Sequence, residues 1–205
     1  MARDTQSIVK MSRREGYALH PKAVKYLLKR STVPGQHGRT VRKNTGQFNV
    51  QLREKQKVKR LYGLLEKQFA RLMSEASRTQ GQSGTALLQF LEQRLDNAVY
   101  RAGFAVSRRA ARQLVTHGHF MVNGRRVDVP SIRLKLGDEV ELRTASKNNE
   151  YFKRLDDVSP SGNESSLSWL AVDRKKASFK VTGVPTREEA EPEIQEQLIV
   201  EYYSR

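Results

Sequence analysis

The stretch "SRRAARQLVTHGHFMVNGRRV", residues 107–127, decides the fold. Ser107 is a good helix N-cap. Ala111, Leu114 and Val115 share one side of the helix that follows, and Gly118 supplies its stop. The spacing predicts a helix from 107 to about 117. Asn123-Gly124 then separates two short apolar runs, the strongest short-range hairpin signal. The same helix carries Arg108, Arg109 and Arg112 within its first six positions. Arginine there faces the positive end of the backbone dipole and should cost stability. The unpartnered N–H groups of a first turn attract anions. Around a phosphate, those donors and three guanidinium forks would converge. Arg125 and Arg126 follow the turn at Asn123 and extend the cationic set. The competing reading is that these arginines pair with nearby acids or face water.

Outward toward the C-terminus, "SIRLKLGDEVEL" alternates Ile132, Leu134 and Leu136, turns at Gly137-Asp138, and resumes at Val140 and Leu142. Toward the N-terminus, Leu87, Leu88, Leu91, Leu95, Ala98 and Ala102 form the core stripe of a helix over 86–102. The module is therefore two helices followed by a small antiparallel sheet. "DDVSPSGNESS" reads as a loop, and "WLAVDRKKASFKV" as irregular with a short strand and Trp169 as a packing anchor. "EPEIQEQLIVEYYSR" opens with acids and Pro192 as a helix should, with Ile194, Leu198 and Tyr202 on one face. So short a helix needs a partner.

"SRTQGQSGT", residues 77–85, is a polar linker at a domain boundary. Before it, residues 50–77 read as one amphipathic helix with Val58, Leu61, Leu65, Phe69, Leu72 and Ala76 on its core side. Arg53, Lys57, Arg60, Lys67, Arg71 and Arg78 form a second stripe whose centre lies about 130° away. Like charges at that spacing destabilise a free helix, and a phosphate backbone reverses the sign. The alternative is a solvated face. Residues 1–46 are basic and rich in Gly, Pro and Ser/Thr, with a short helix at "PKAVKYLLKR".

Charge follows this division. The 205 residues carry a formal net charge of +16. Residues 1–80 hold net +14, residues 81–150 net +4, and residues 151–205 net −2. Such a surplus calls for a polyanion, nucleic acid before a membrane surface, held chiefly by the first 80 residues. No cysteine is present, which excludes disulfides and thiolate metal sites. No apolar run approaches the roughly 20 residues that span a bilayer, and no signal peptide opens the chain. A soluble cytoplasmic protein is expected.

Catalytic patterns are thin. No GxxxxGK[ST] loop occurs. His117 and His119 flank Gly118 at a helix end, where a turn role outweighs metal binding. "RLD" at 94–96 resembles the catalytic triplet of pseudouridine synthases, yet it falls mid-helix and no catalytic domain follows. Asp96 is better read as a partner for Arg94 or Arg101.

Together "SRREG" (12–16), "PGQHG" (34–38), "VQLREKQKVKRLYGLLEKQF" (50–69), "LEQRLDNAVYRAGF" (91–104), "ARQLV", "MVNGR", "WLAVD" (169–173) and "LIVEYYSR" make the chain resemble the S-four family of bacterial small-subunit ribosomal proteins. The likeness covers nearly its whole length. "PGQHG" and the 50–69 block are specific to that family, whereas the 91–142 module is similar to one also found in pseudouridine synthases, tyrosyl-tRNA synthetases and heat-shock proteins. The resemblance implies an α+β protein: a mainly helical N-terminal domain with the two-helix-plus-sheet RNA-binding module inserted into it. The expected divisions are 1–93, 94–157 and a C-terminal segment, 158–205, that packs back on the helical domain.

It further implies a structural, non-enzymatic protein of the small ribosomal subunit in the cytoplasm. Such a protein binds rRNA at a multi-helix junction, nucleates assembly, and influences decoding accuracy with the fifth small-subunit protein. Messenger RNA on its way into the subunit is a further neighbour. Many relatives carry N-terminal cysteines that bind zinc or an iron–sulfur cluster. This chain has none, so no metal or other cofactor is implied. The expected RNA contacts are Arg13, Arg14, the loop Gly35, Gln36, His37, Gly38 and Arg39, the row Arg53, Lys55, Lys57, Arg60, Lys67 and Arg71, and the module's Arg108, Arg109, Arg112, Asn123, Arg125 and Arg126. Lys55, Lys57, Arg60 and the "PGQHG" loop are expected to be the main contact, with Gly35 and Gly38 letting backbone approach RNA unless they serve only a turn. Two rivals remain from the residues alone: a helix-turn-helix DNA regulator, and an RNA-modifying enzyme that carries the same module.

Overall fold

The computed structural model describes residues 4–38, 40, 46–158 and 167–204. The chain divides into two units, one of residues 1–87 with 193–205, the other of residues 88–192.

The first unit is helical. It begins with α1 (Ile8–Glu15) and α2 (Pro21–Lys29), followed by α3 (Gln47–Leu61) and α4 (Glu66–Ala76). The single helix expected over 50–77 is therefore two. Its break is a Schellman motif: the Leu64 amide donates to the Lys59 carbonyl at 2.9 Å and the Gly63 amide to that of Arg60 at 3.2 Å. Gly63 takes φ 65°, left-handed backbone that glycine adopts without strain. Apolar spacing continues through the break, so periodicity alone does not see it. Leu64 and Met73 join Val58, Leu61, Phe69 and Ala76 in the core, whereas Leu65 and Leu72 are half-buried.

α5 (Ser83–Glu92) crosses from the first unit into the second. It ends where Arg94 turns extended (φ −64°, ψ 138°), and α6 (Leu95–Arg101) starts anew. The expected helix over 86–102 is thus broken as well. At the break Arg94 bridges Arg133 antiparallel, the Leu134 amide donates to Gln93 at 2.9 Å, and the Leu95 amide donates to Ile132 at 2.8 Å. Residues 132–136 form no regular strand, only that isolated bridge. Leu136, expected to face inward, is 69% exposed.

α7 (Arg108–Thr116) starts as its sequence predicts, with the Ser107 hydroxyl accepting from the Ala110 amide. β1 (Phe120–Val122) and β2 (Arg125–Val127) pair across Asn123-Gly124, with φ 50° and 75°, the type I′ geometry that an Asn-Gly hairpin favours. β3 (Glu139–Leu142), α8 (Thr144–Lys147), α9 (Glu150–Lys153) and α10 (Leu155–Val158) follow, then β4 (Leu170–Asp173) and β5 (Ser178–Val181). The strands form one antiparallel sheet in the order β2-β1-β3-β5-β4. Phe104, buried between α6 and α7, meets Phe120 of β1 edge-on at 6.2 Å and stacks on Phe179 of β5 at 6.0 Å.

Two expectations are corrected here. Residues 170–181 form a hairpin of this sheet, where the sequence reads as irregular with a short strand. Residues 167–192 belong to the second unit, so the segment that returns is 193–205 rather than 158–205. In it α11 (Glu196–Tyr203) packs on α3, with Ile194 and Ile199 buried. Trp169 is buried as a packing anchor.

Candidate nucleic-acid interface

The cations of α3 are matched to acids of the first unit, on α1, on α4 and on α3 itself. Arg53 and Arg60 share the Glu15 carboxylate at the end of α1, with Arg53 at 3.1 Å. The Glu15 side chain is sealed from solvent. Burial pushes its pKa up, against the pull of Arg53, Arg60, Arg14 and Lys57. Lys57 reaches Glu54 at 2.9 Å and the Glu193 carbonyl at 2.8 Å.

Lys55 departs furthest from expectation. Its side chain is 4% exposed, its Nζ lies 2.7 Å from Glu66 Oε1, and the Tyr202 ring centroid is 4.4 Å away. Lys59 takes the other oxygen of Glu66 at 2.8 Å, and the Tyr203 hydroxyl donates to Oε1 at 2.9 Å. Burial alone would raise the Glu66 pKa. The hydrogen bonds from Lys55, Lys59 and Tyr203 outweigh it and hold the group at about 2. The Tyr203 hydroxyl is pushed up in turn, by burial first and by its bond to the Glu66 carboxylate second. Lys55 is therefore a bolt between α3, α4 and α11, not a surface contact. Its place on the polar side of the sequence helix hid this, because α11 covers that side.

Lys67 and Arg71 on α4 stand differently. They lie one turn apart, both are exposed, and neither makes an ion pair among the described residues. Arg78, just past that helix, is exposed too. At α1, Arg14 is exposed, whereas Arg13 grips the Thr32 carbonyl through Nε at 3.1 Å and Nη2 at 2.9 Å. Arg13 thus tethers the loop before "PGQHG". In that loop Gln36 and His37 are exposed. Gly38 serves the turn itself, since a Cβ there would sit 2.0 Å from the Val33 carbonyl oxygen. Arg39 lies outside the described residues.

In the second unit the arginines of α7 do not converge on a vacant first turn. Arg108 donates to Asn97 Oδ1 at 2.8 Å and Glu191 Oε1 at 2.8 Å, and lies 4.7 Å from the Tyr100 ring centroid. Arg112 approaches Asp96 at 3.6 Å. Arg109 is exposed. Asp96 is buried and held by Arg94 through two bonds, 3.1 and 2.9 Å, as its sequence context suggests. Arg101 forks onto Glu92 at 2.9 Å through both Nε and Nη2, so that of the two arginines expected for Asp96 it is Arg94 that holds it, with Arg112 beside it. Glu92 and Asp96 sit on the apolar side of their helices, beside Leu91 and Leu95. An acid on a core stripe demands a buried cation, and that signal was available in the sequence.

The hairpin also separates two roles. Asn123 pins β3: its Nδ2 donates to Asp138 Oδ1 at 2.9 Å and its Oδ1 accepts from the Glu139 amide at 3.0 Å. It therefore has a structural role, while the residue itself stays exposed. Arg125 and Arg126 are exposed. The Arg126 guanidinium lies over Gly118, where a Cβ would come within 2.6 Å of its Nε. Among the described residues, no group of three or more His, Cys, Asp or Glu is placed to hold a metal ion. No described helix is long and apolar enough to cross a membrane.

Comparison with known proteins follows the two-part division of the sequence. The sequence model of the ribosomal protein S4/S9 N-terminal domain matches residues 3–92, and that of the S4 domain matches residues 93–140. The small ribosomal subunit protein uS4 of Herpetosiphon aurantiacus is 50% identical over the full length of both chains. The chain belongs to the uS4 family. Further uS4 relatives, from Chloroflexus aurantiacus at 47% and Clostridioides difficile at 46%, also align over the whole of both chains. The S4-domain match ends at residue 140, so the β4–β5 hairpin of this uS4-family sheet lies beyond it.

Proposed function

We propose that this chain is a structural protein of the small ribosomal subunit, in the cytoplasm, that binds small-subunit rRNA through its outward-facing cations. The observation that carries the reading is full-length likeness to small-subunit uS4 proteins, in a chain of net charge +16. Lys67 and Arg71, with Arg14, Arg78, Arg109, Arg125 and Arg126, supply positive charge where a phosphate backbone can reach it. Each phosphate they neutralise releases a condensed counterion, so affinity falls as salt rises. Paired RNA is read mainly by shape and backbone, which suits cations placed on helices and a sheet edge.

We read the chain as non-enzymatic. Asp96, the residue that a pseudouridine synthase would use, is buried and ion-paired with Arg94. The helix-turn-helix alternative finds no support in the family match. The finer reading is that the chain binds at a multi-helix junction, nucleates assembly, touches the fifth small-subunit protein in a way that influences decoding, and lies near incoming messenger RNA. Sedimentation at moderate salt tests the central statement. The chain should travel with small subunits, and a chain that stays at the top of the gradient contradicts it.

A further inference from the structure

Residues 16–53 contain no aspartate or glutamate, and α2 lies within that run. Its Lys22, Lys25 and Lys29 are all exposed, and none makes an ion pair among the described residues. At about 100° per residue the three fall within an arc of about 60°. Tyr26, 44% exposed, borders that arc. The pairs Lys22/Lys25 and Lys25/Lys29 stand at the three- and four-residue spacings where like charges destabilise a helix.

The helix is also weakly rooted. Ala23 is its one buried residue, while Val24 is 47% and Leu28 84% exposed. Nine residues are too few to hold a helix in water without tertiary support. α2 packs on α1 through Ala23, and it has a proline at its first position and a His20 side chain that accepts from the Lys22 amide. α3 answers its cations with Glu15, Glu54 and Glu66, but α2 has no such answer among the described residues.

We propose that α2 is an RNA-backbone contact in its own right, with Lys22, Lys25 and Lys29 on successive phosphates and Tyr26 against a ribose or base. Lys22 to Lys29 spans about 10 Å of helix, the reach of about three phosphates along one strand. Charge complementarity commits the surface to RNA. An acidic protein is the competing occupant.

The inference rests on the rRNA-binding reading, and the experiment keeps the two apart. Full-length wild-type chain and the variant Lys22→Gln/Lys25→Gln/Lys29→Gln are titrated with small-subunit rRNA over a range of salt. The expected result is a slope of log affinity against log salt that is shallower by two to three in the variant. The corresponding arginine variant should keep the wild-type slope. A wild-type chain that binds while the glutamine variant matches it overturns the α2 contact alone, and a wild-type chain that ignores RNA overturns both readings. Amine acetylation of the wild-type chain gives a second readout that does not depend on the variant's folding. Lys22, Lys25 and Lys29 should be protected in the RNA complex. Lysines that stay reactive with RNA, or are shielded only by an acidic protein, contradict the proposal.

Discussion

Lys55 and Lys67 are both cations of the long basic block, yet they do opposite things. The Lys55 ammonium is enclosed by Glu66 and the ring of Tyr202, so its loss leaves a carboxylate short of a donor. Replacing Lys55 with alanine should lower stability by about 1–3 kcal/mol in urea unfolding. Glu66 supplies a second test. Its folded pKa of about 2 lies below the ordinary 4.5, so folding favours the ionised form. That contribution is complete above about pH 4.5 and fades as pH falls toward 2. Glu66→Gln should flatten the pH dependence of stability across that window, and a variant whose acid limb matches wild type would contradict the geometry. None of these pairings was legible beforehand. Glu15 and Arg60 are 45 positions apart, and Arg108 and Glu191 are 83. Which of these cations are already answered is decided by tertiary contacts that local sequence does not encode, unlike the Arg94–Asp96 pair, whose members stand two positions apart.

At the scale of elements, the sequence was most readable where a turn had its own chemistry. Ser107 caps α7, Gly118 follows its end, and Asn123-Gly124 forms the turn expected of it. The breaks inside the long helices were hidden, because apolar spacing runs on through Tyr62–Leu65 and through Gln93–Arg94. Gly63 was the available cue for the first. A Cβ at Gly63 meets nothing within 4 Å, so its substitution tests backbone strain alone. Gly63→Ala should cost about 1–2 kcal/mol through the left-handed conformation it must hold. An equally stable alanine variant would show that the break does not depend on glycine there. β4 and β5 went largely unread for a different reason: "DRKKA" between them is so charged that it resembles a surface loop, although it closes a hairpin in the sheet.

Across the whole molecule, the charge pattern pointed to a polyanion and to the first 80 residues, and the α+β class followed from the 107–127 stretch. What changes with structure is the address of the charge. α3, the most conspicuous basic helix, spends much of its charge on internal acids, while α4 and α2 turn theirs outward. The measurement that tests this most directly is the salt dependence of binding to small-subunit rRNA for wild type, Lys67→Gln/Arg71→Gln and Lys55→Ala. The slope should fall by about two in the double variant and stay unchanged in Lys55→Ala. A slope lost at Lys55 and kept at Lys67 and Arg71 would contradict the account.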